Sequence, residues 1–600
     1  MLVNTRRRIA RWTPALLVAL AAVTARAGIP DVLDRVPAET PVVIAVGNLE
    51  GTMKRLDAMS KSLGKAGENM AAGLWQMNSM ISMPGVNKAG SMALAMSLPE
   101  SAKGKNNADD MDGDDAATGG DEPPGVAIVP VSDYALFVKT FKGDGAATMT
   151  QAEFDGRETW IRNLGNGYAV LGNKKDLVEK FDGKAGRKGE HVARMGKVGG
   201  KIADATDILI LANMAKLEPA MKEAQRQMKT NPAVAMAAMQ GGGQAIDALQ
   251  GAMEAFARDA QTGIVGVGLG EKGITIDFGA QFKDGTGGAK MFQGGGSSGA
   301  LMAKLPSGDF LFAGAADLSS PQVKAFIREM ASKGEGNADP TSMMANLARS
   351  IDTLDGQAIL MGATDLGNGL MAKTVMYSKT KDPQAFLAAS KEANAKLNGV
   401  EANGIKFQTS YQSGAREIAG VKVDKWSNKM ETDPNSPMAM QVEMMKGFMY
   451  GSEGKLSGYA AATEGGVITT MSENSELLKA AIEASKGGKS LAGDPVFSSS
   501  QSMLLADRVV EGYIGTKALM ETVGGFMAMY GGPELPAPDK VSPIALGMVS
   551  DGGGMGIRLA FPMDVIQTIA NTAEKMQGAM DDMGEPEPQP EKKKDGGRRF

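Results

Sequence analysis

Short apolar runs followed by helical spacing recur along this chain, and they recur in the same order twice. Val36-Pro37 leads into an apolar run from Pro41 to Val46, which reads as a strand, and Asn48-Leu49 then opens a helical pattern. Leu305-Pro306 leads into Phe310 to Ala315, and Asp317-Leu318 opens the next helix. Val126 to Val131 runs into a helix at Tyr134 to Phe137, and Thr374 to Tyr377 is answered by Asp382-Pro383 and Phe386. Gly167 to Asn173 precedes a helix at Asp176 to Phe181, as Gly466 to Ser472 precedes one at Glu476 to Ile482. Ile208 to Ala212 is matched with Met503 to Ala506. Both series close on a hairpin. The first joins Ile264–Gly268 to Ile274–Phe282 through Glu271-Lys272-Gly273. The second joins Ile544–Val549 to Gly556–Phe561 through Asp551 to Gly554.

This order predicts two tandem copies of an α+β unit, each a mixed or mostly antiparallel sheet packed with helices. The expected boundaries are 28–284 for the first copy and 301–575 for the second, with a flexible Gly/Ser-rich linker over 285–300. An acidic disordered insert is expected at 100–123, a Met-rich helical insert at 428–455 and a disordered charged tail at 576–600. Asp382-Pro383, Asp339-Pro340 and Ser320-Pro321 read as helix starts, a capping side chain followed by proline. Leu49, Leu56, Leu63, Met70 and Met77 make a seven-residue seam. It reads as a helix packed on its own sheet, since Gly64, Gly67 and Gly73 each weaken a free helix by about 1 kcal/mol.

The start of the chain changes the picture. Arg6, Arg7, Arg8 and Arg11 precede the apolar run Pro14 to Val23, and Ala25-Arg26-Ala27 follows. The run falls short of the roughly 20 residues a bilayer core needs, and it fits a secretory signal with cleavage after Ala27; the alternative is a retained N-terminal anchor. Five Arg and no acid lie in residues 1–27, so cleavage takes the formal charge from −5 to −10. An acidic body is a poor nucleic-acid ligand, because phosphate neutralisation supplies most of that affinity. No later stretch reaches 18 apolar residues, so no integral span is expected after cleavage. There is no Cys, hence no disulfide, no thiol nucleophile and no lipoprotein attachment, and His191 is the sole imidazole.

Chemical motifs are present in letter and fail in context. Gly268, Gly270 and Gly273 spell G-x-G-x-x-G, but the alternating Ile274 to Phe278 follows where a dinucleotide site needs a helix. Gly295, Ser297 and Gly299 spell G-x-S-x-G inside glycine-rich linker, with only His191, in a polar Lys-rich stretch that reads as solvated, to act as base. Asp109, Asp110, Asp112, Asp114 and Asp115 do not fit an EF-hand, since position 12 would be Gly119. Met438, Met440, Met444, Met445 and Met449 are soft ligands suited to Cu(I). No His or Cys joins them, and Met is spread through every helical segment, so they read as adaptable core filling. No catalytic residue, cofactor site or metal site is assigned; a Ser–Lys or carboxylate-pair site stays open.

The segment Val36-Pro37-Ala38-Glu39-Thr40-Pro41-Val42-Val43-Ile44-Ala45-Val46, behind a signal and ahead of a helix, resembles a group of exported bacterial proteins. That family is a domain of unknown function with a VPADT-like mature start and repeated strand–helix units. The unit at Gly167 to Phe181 is similar to it as well. The resemblance implies a periplasmic or secreted α+β protein and carries over no catalytic residue. The expected role is therefore a non-enzymatic binding or structural protein of the envelope, with an envelope protein as partner. The alternatives are a carrier or chaperone for an apolar or lipid ligand, motivated by the helical face Ile246, Leu249, Met253 and Phe256, and a hydrolase without a recognisable motif.

Overall fold

The computed structural model describes residues 28–582, apart from 65–66, 68–80, 99–123, 155, 231–250, 252–253, 334–350, 364–368, 403–404, 436–438, 452 and 530–537. The expected signal with Ala25 and Ala27, the acidic insert, the Asp339 cap, and Ile246, Leu249 and Met253 all lie outside the described residues.

The fold is α+β. The strands of the N-terminal half are β1 (Val42–Val46), β2 (Met92–Met96), β3 (Gly125–Pro130), β4 (Met149–Phe154) and β5 (Arg157–Gly165). They continue with β6 (Tyr168–Gly172), β7 (Ile208–Asn213), β8 (Ala260–Gly270) and β9 (Gly273–Phe282). The C-terminal half supplies β10 (Phe310–Asp317), β11 (Gly356–Gly362), β12 (Thr374–Lys379), β13 (Glu401–Ala402), β14 (Ile405–Ile418) and β15 (Val421–Thr432). It ends with β16 (Lys455–Thr463), β17 (Gly466–Thr470), β18 (Arg508–Ile514), β19 (Ile544–Asp551) and β20 (Gly554–Pro562).

These strands join edge to edge in one sheet, and every pairing between them is antiparallel. The order is β4-β5-β6-β3-β2-β1-β7-β8-β9 and then β20-β19-β18-β10-β11-β12-β17-β16-β15-β14-β13. Read outward from the β9–β20 junction, the two arms follow one order: hairpin, β7 or β18, β1 or β10, then β2 or β11, β3 or β12, β6 or β17.

The helix Lys188–Ala205 crosses the junction and contacts β8, β9, β19 and β20. Gly196 (φ 63°) breaks it into two helical segments; Met195 on the first, and Val198 and Ile202 one turn apart on the second, are buried on the sheet. The strands beneath carry glycine where the helix lies closest. A Cβ on Gly279 would stand 2.6 Å from Ile202 Cδ1, and one on Gly556 would stand 2.9 Å from Val198 Cγ1. His191 belongs to the same buried stripe, which corrects its reading as solvated: the charges of its neighbours face outward while its own ring is buried and Nε2 lies 2.9 Å from the Val36 carbonyl.

Three other expectations change. Residues 285–300 do not form a flexible linker. They fold into the helices Gly287–Met291 and Ser298–Met302, with Ala289 and Ser298 buried and Phe292 stacked on Phe282. The glycines there let the chain lie against neighbours, as Gly288 does against the Phe282 ring. The strand expected at Met503 to Ala506 is β18, Arg508–Ile514; Met503, Leu504 and Leu505 instead fill core after the helix Pro495–Gln501, and Asp507 turns the chain at φ 58°. The helix Met563–Asp582 continues past the expected end of the second unit at 575. The caps at Asp382 and Ser320 form, through Ala385 N and Val323 N. Among the described residues no helix is long and apolar enough to cross a membrane.

Candidate binding face

Alternation along a strand sends neighbouring residues to opposite faces of a sheet. On β8, β9, β19 and β20 one set is mostly small or charged: Gly266, Asp277, Gly279, Gly547, Gly556 and Arg558, with Ile264 and Val549 as large apolar members. The crossing helix covers Gly266, Gly279 and Gly556, while Gly547 lies against Leu504 and Arg508. The other set is large and apolar: Val265, Ile276, Phe278, Leu546, Met548, Ile557 and Leu559. Cross-strand register puts this second set side by side. Val265 faces Phe278, Phe278 faces Ile557, Ile557 faces Met548, and Leu559 faces Leu546. The row continues through Val510 opposite Met548 and Ile514 opposite Phe312.

This second face is open. Phe278, Phe312, Val510, Ile514 and Leu546 are each 37% to 46% exposed, and no charged side chain stands among them. Leu519 and Val523, one turn apart on the helix Thr516–Met529, and Ile569 on Met563–Asp582 are exposed as well. Exposed apolar side chains gathered on one face, rather than scattered singly, are the pattern of an interaction surface.

The covered face holds the buried charges. Arg558 donates Nε and Nη2 to the two carboxylate oxygens of Asp277, both at 2.7 Å, and Nη1 to the Met503 carbonyl. Burial pushes the Asp277 carboxyl above its ordinary range, and Arg558 offsets this only in part. Glu511 takes Arg508 Nε at 2.7 Å and the Tyr513 hydroxyl at 2.9 Å on Oε2, while its buried Oε1 has no hydrogen-bond partner. Sequence reasoning missed all four of these charged groups. A lone Asp and a lone Arg at matching places in the two hairpins were the available signal.

The elements flagged from sequence do not converge on one centre. Gly268, Gly270 and Gly273 form the β8–β9 hairpin turn. Ser297 is exposed and donates Oγ to Asp317 Oδ2 at 2.9 Å, and the His191 ring is committed to the Val36 carbonyl. Burial alone would raise the Asp317 carboxyl, but four hydrogen bonds from Ser319 and Ser297 outweigh it and hold it below the usual range. Met440, Met444 and Met445 are exposed on the helix Ala439–Tyr450, where Val442 is the buried residue, so core filling does not describe them. No group of three or more metal-ligating side chains occurs among the described residues. A cleft of about 380 Å³ lies between Phe310, Leu491, Phe497 and Val541, with the Lys517–Asp309 ion pair on its wall.

No protein-family model and no curated protein matches the chain. Three solved structures show similarity. Crystal form IV of TP0453 is 9% identical, with 45% of this chain and 95% of that chain covered and a TM-score of 0.22. Form III is 8% identical over 45% and 97%, TM-score 0.21, and form I is 10% identical over 46% and 97%, TM-score 0.19. Likeness at that level carries no argument about this chain.

Proposed function

We propose that the chain is an exported, non-enzymatic binding protein of the bacterial envelope, and that the open apolar sheet face receives its partner. The reading rests on one observation: Phe278, Phe312, Val510, Ile514 and Leu546 are exposed on one uncharged face of the central strands, whose alternate residues are buried on the other. Such a surface gains free energy by losing contact with water, at about 25 cal/mol per Å² of apolar area covered. The matching strand order of the two arms is read as duplication of one ancestral unit, which would make the open face continuous across both copies.

A carrier for an apolar or lipid ligand is the second reading. The cleft floored by Phe310, Leu491, Phe497 and Val541 favours it, since its volume lies within the usual range for small-molecule sites.

Native mass spectrometry of protein from the exported fraction, before and after solvent extraction, tests both. A bare mass for residues 28–600, with a crosslinked protein that Phe278→Gln/Leu546→Gln no longer captures, is the expected result. A reproducible lipid-sized adduct would replace the first reading by the second. Capture that is indifferent to the double substitution, with no adduct, would overturn both.

A further inference from the structure

The β9–β20 junction joins two strands that hold the same place in their hairpins. The β8–β9 hairpin closes at Gly270 opposite Gly273, and the β19–β20 hairpin closes at Asp551 opposite Gly554. The fourth residue after each closing glycine is Asp277 in β9 and Arg558 in β20. Across the junction these two residues face each other. A strand position that stands opposite its own equivalent lies on a local two-fold axis, so Asp277 and Arg558 occupy the centre of the seam.

The other residues of the two strands do not discriminate. Around the pair stand Ile276 opposite Leu559, Phe278 opposite Ile557 and Gly279 opposite Gly556. Centred on position 277, two β9 strands would set Ile276 against Phe278. Two β20 strands centred on 558 would set Ile557 against Leu559. Either arrangement is apolar against apolar, and both strands are free of further charge. Within the two strands only the central residue tells the three pairings apart. It would place two carboxylates or two guanidiniums together under the crossing helix, where Asp277 is 0% and Arg558 4% exposed.

We propose that the Asp277–Arg558 pair makes the seam selective: each half of the chain accepts the other half along this edge and rejects a second copy of itself. An unpaired strand edge templates association with any compatible edge. Two edges of nearly the same shape within one chain double that exposure until the seam closes. Attraction in the correct pairing and repulsion in both wrong ones is how specificity is built into self-complementary surfaces. Stability alone is a poor explanation, because an apolar pair often replaces a buried ion pair with no loss.

The test uses the full chain. Wild type, Asp277→Leu/Arg558→Leu, Asp277→Asn/Arg558→Gln and the exchange Asp277→Arg/Arg558→Asp are unfolded in urea. They are then refolded across a hundredfold range of protein concentration, with mass followed by light scattering. Wild type and the exchange variant return to their starting mass throughout. The two neutral variants give assemblies that grow with concentration, and several-fold less protein returns to the starting mass at the top of the range. The amide pair keeps the test open if the leucine pair does not fold. Neutral variants that refold as fully as wild type would overturn the proposal. So would an exchange variant that assembles as they do, since it keeps the charge complementarity.

Discussion

Gly266, Asp277, Gly279, Gly556 and Arg558 stand on one face of the central strands, and Val265, Ile276, Phe278, Leu546 and Ile557 stand on the other. The backbone is shared, so only the alternate side chains differ. On the first face small residues bring the helix Lys188–Ala205 within van der Waals reach, and the two charges neutralise each other at hydrogen-bond distance. On the second face Phe278 and Leu546 remain 46% and 37% exposed, and Val265, Ile276 and Ile557 are partly buried. Apolar content is therefore a poor guide to which face is core. The covered face is the less apolar of the two, and what decides is whether the chain supplies a surface that fits.

The largest effects should come from breaking that fit. Ile202 is fully buried and reaches the places where Gly266, Gly279 and Gly556 lack a side chain. Ile202→Ala opens a cavity at the junction, and urea denaturation should register a loss of about 2–5 kcal/mol. Filling is the converse error. A Cβ on Gly556 would meet Val198 at 2.9 Å, Ile202 at 3.2 Å and Val549 at 3.3 Å, all three anchored in packed elements. Gly556→Val should lower stability by about 1–3 kcal/mol by overpacking. If both substitutions are neutral, the covered face is not close-packed and the contrast between the faces fails.

The parts of this contrast that were legible in sequence are those carried by strong local pattern. The two hairpins, β1 and β10, β3 and β12, and the caps at Asp382 and Ser320 follow from apolar alternation and turn chemistry within a few residues. β14 and β15 were not legible, because Ile405–Ile418 and Val421–Thr432 form a long ribbon of mostly polar side chains, largely exposed along β14 and partly buried along β15. The shift from Met503–Ala506 to Arg508–Ile514 came from an apolar run that serves the core without being a strand. The junction of the halves left little local trace beyond the lone Asp277 and Arg558, since strand-edge pairing is made by backbone groups that every residue has. The open face was half legible: the alternation of Ile274, Ile276 and Phe278 predicts a face, but nothing local says whether it is covered.

A smaller effect follows from His191, which sits in the helix that covers the first face. Burial depresses its pKa below the ordinary value. Arg194 and Arg187 push the same way, while the Val36 carbonyl and Glu190 oppose them. The folded chain then holds the ring neutral at pH values where the unfolded chain has begun to protonate it. The unfolded state binds more protons in that window, so stability is intact above about pH 6.5 and falls as the pH drops below it. The slope is that of at most one proton, about 1.4 kcal/mol per pH unit. Urea midpoints at pH 7.5 and 5.5 should differ more for wild type than for His191→Gln. Equal differences would mean the ring is open to water and the covering helix lies less closely than described.

On the open face the same kind of substitution should barely touch folding. Phe278 and Leu546 already meet water over more than a third of their surface, so Phe278→Gln and Leu546→Gln should shift stability by about 1 kcal/mol or less. Their effect should appear in association instead. The wild-type chain should bind an environment-sensitive apolar dye with enhanced fluorescence, and the double variant should lose most of that signal while keeping its urea midpoint. Loss of the midpoint together with the signal would place these side chains in the core, and the open face would then be an ordinary packed surface. Retention of both would leave it exposed without being a place where apolar molecules settle. Separation of the two readouts is what distinguishes a surface kept open for a partner from one that holds the fold together.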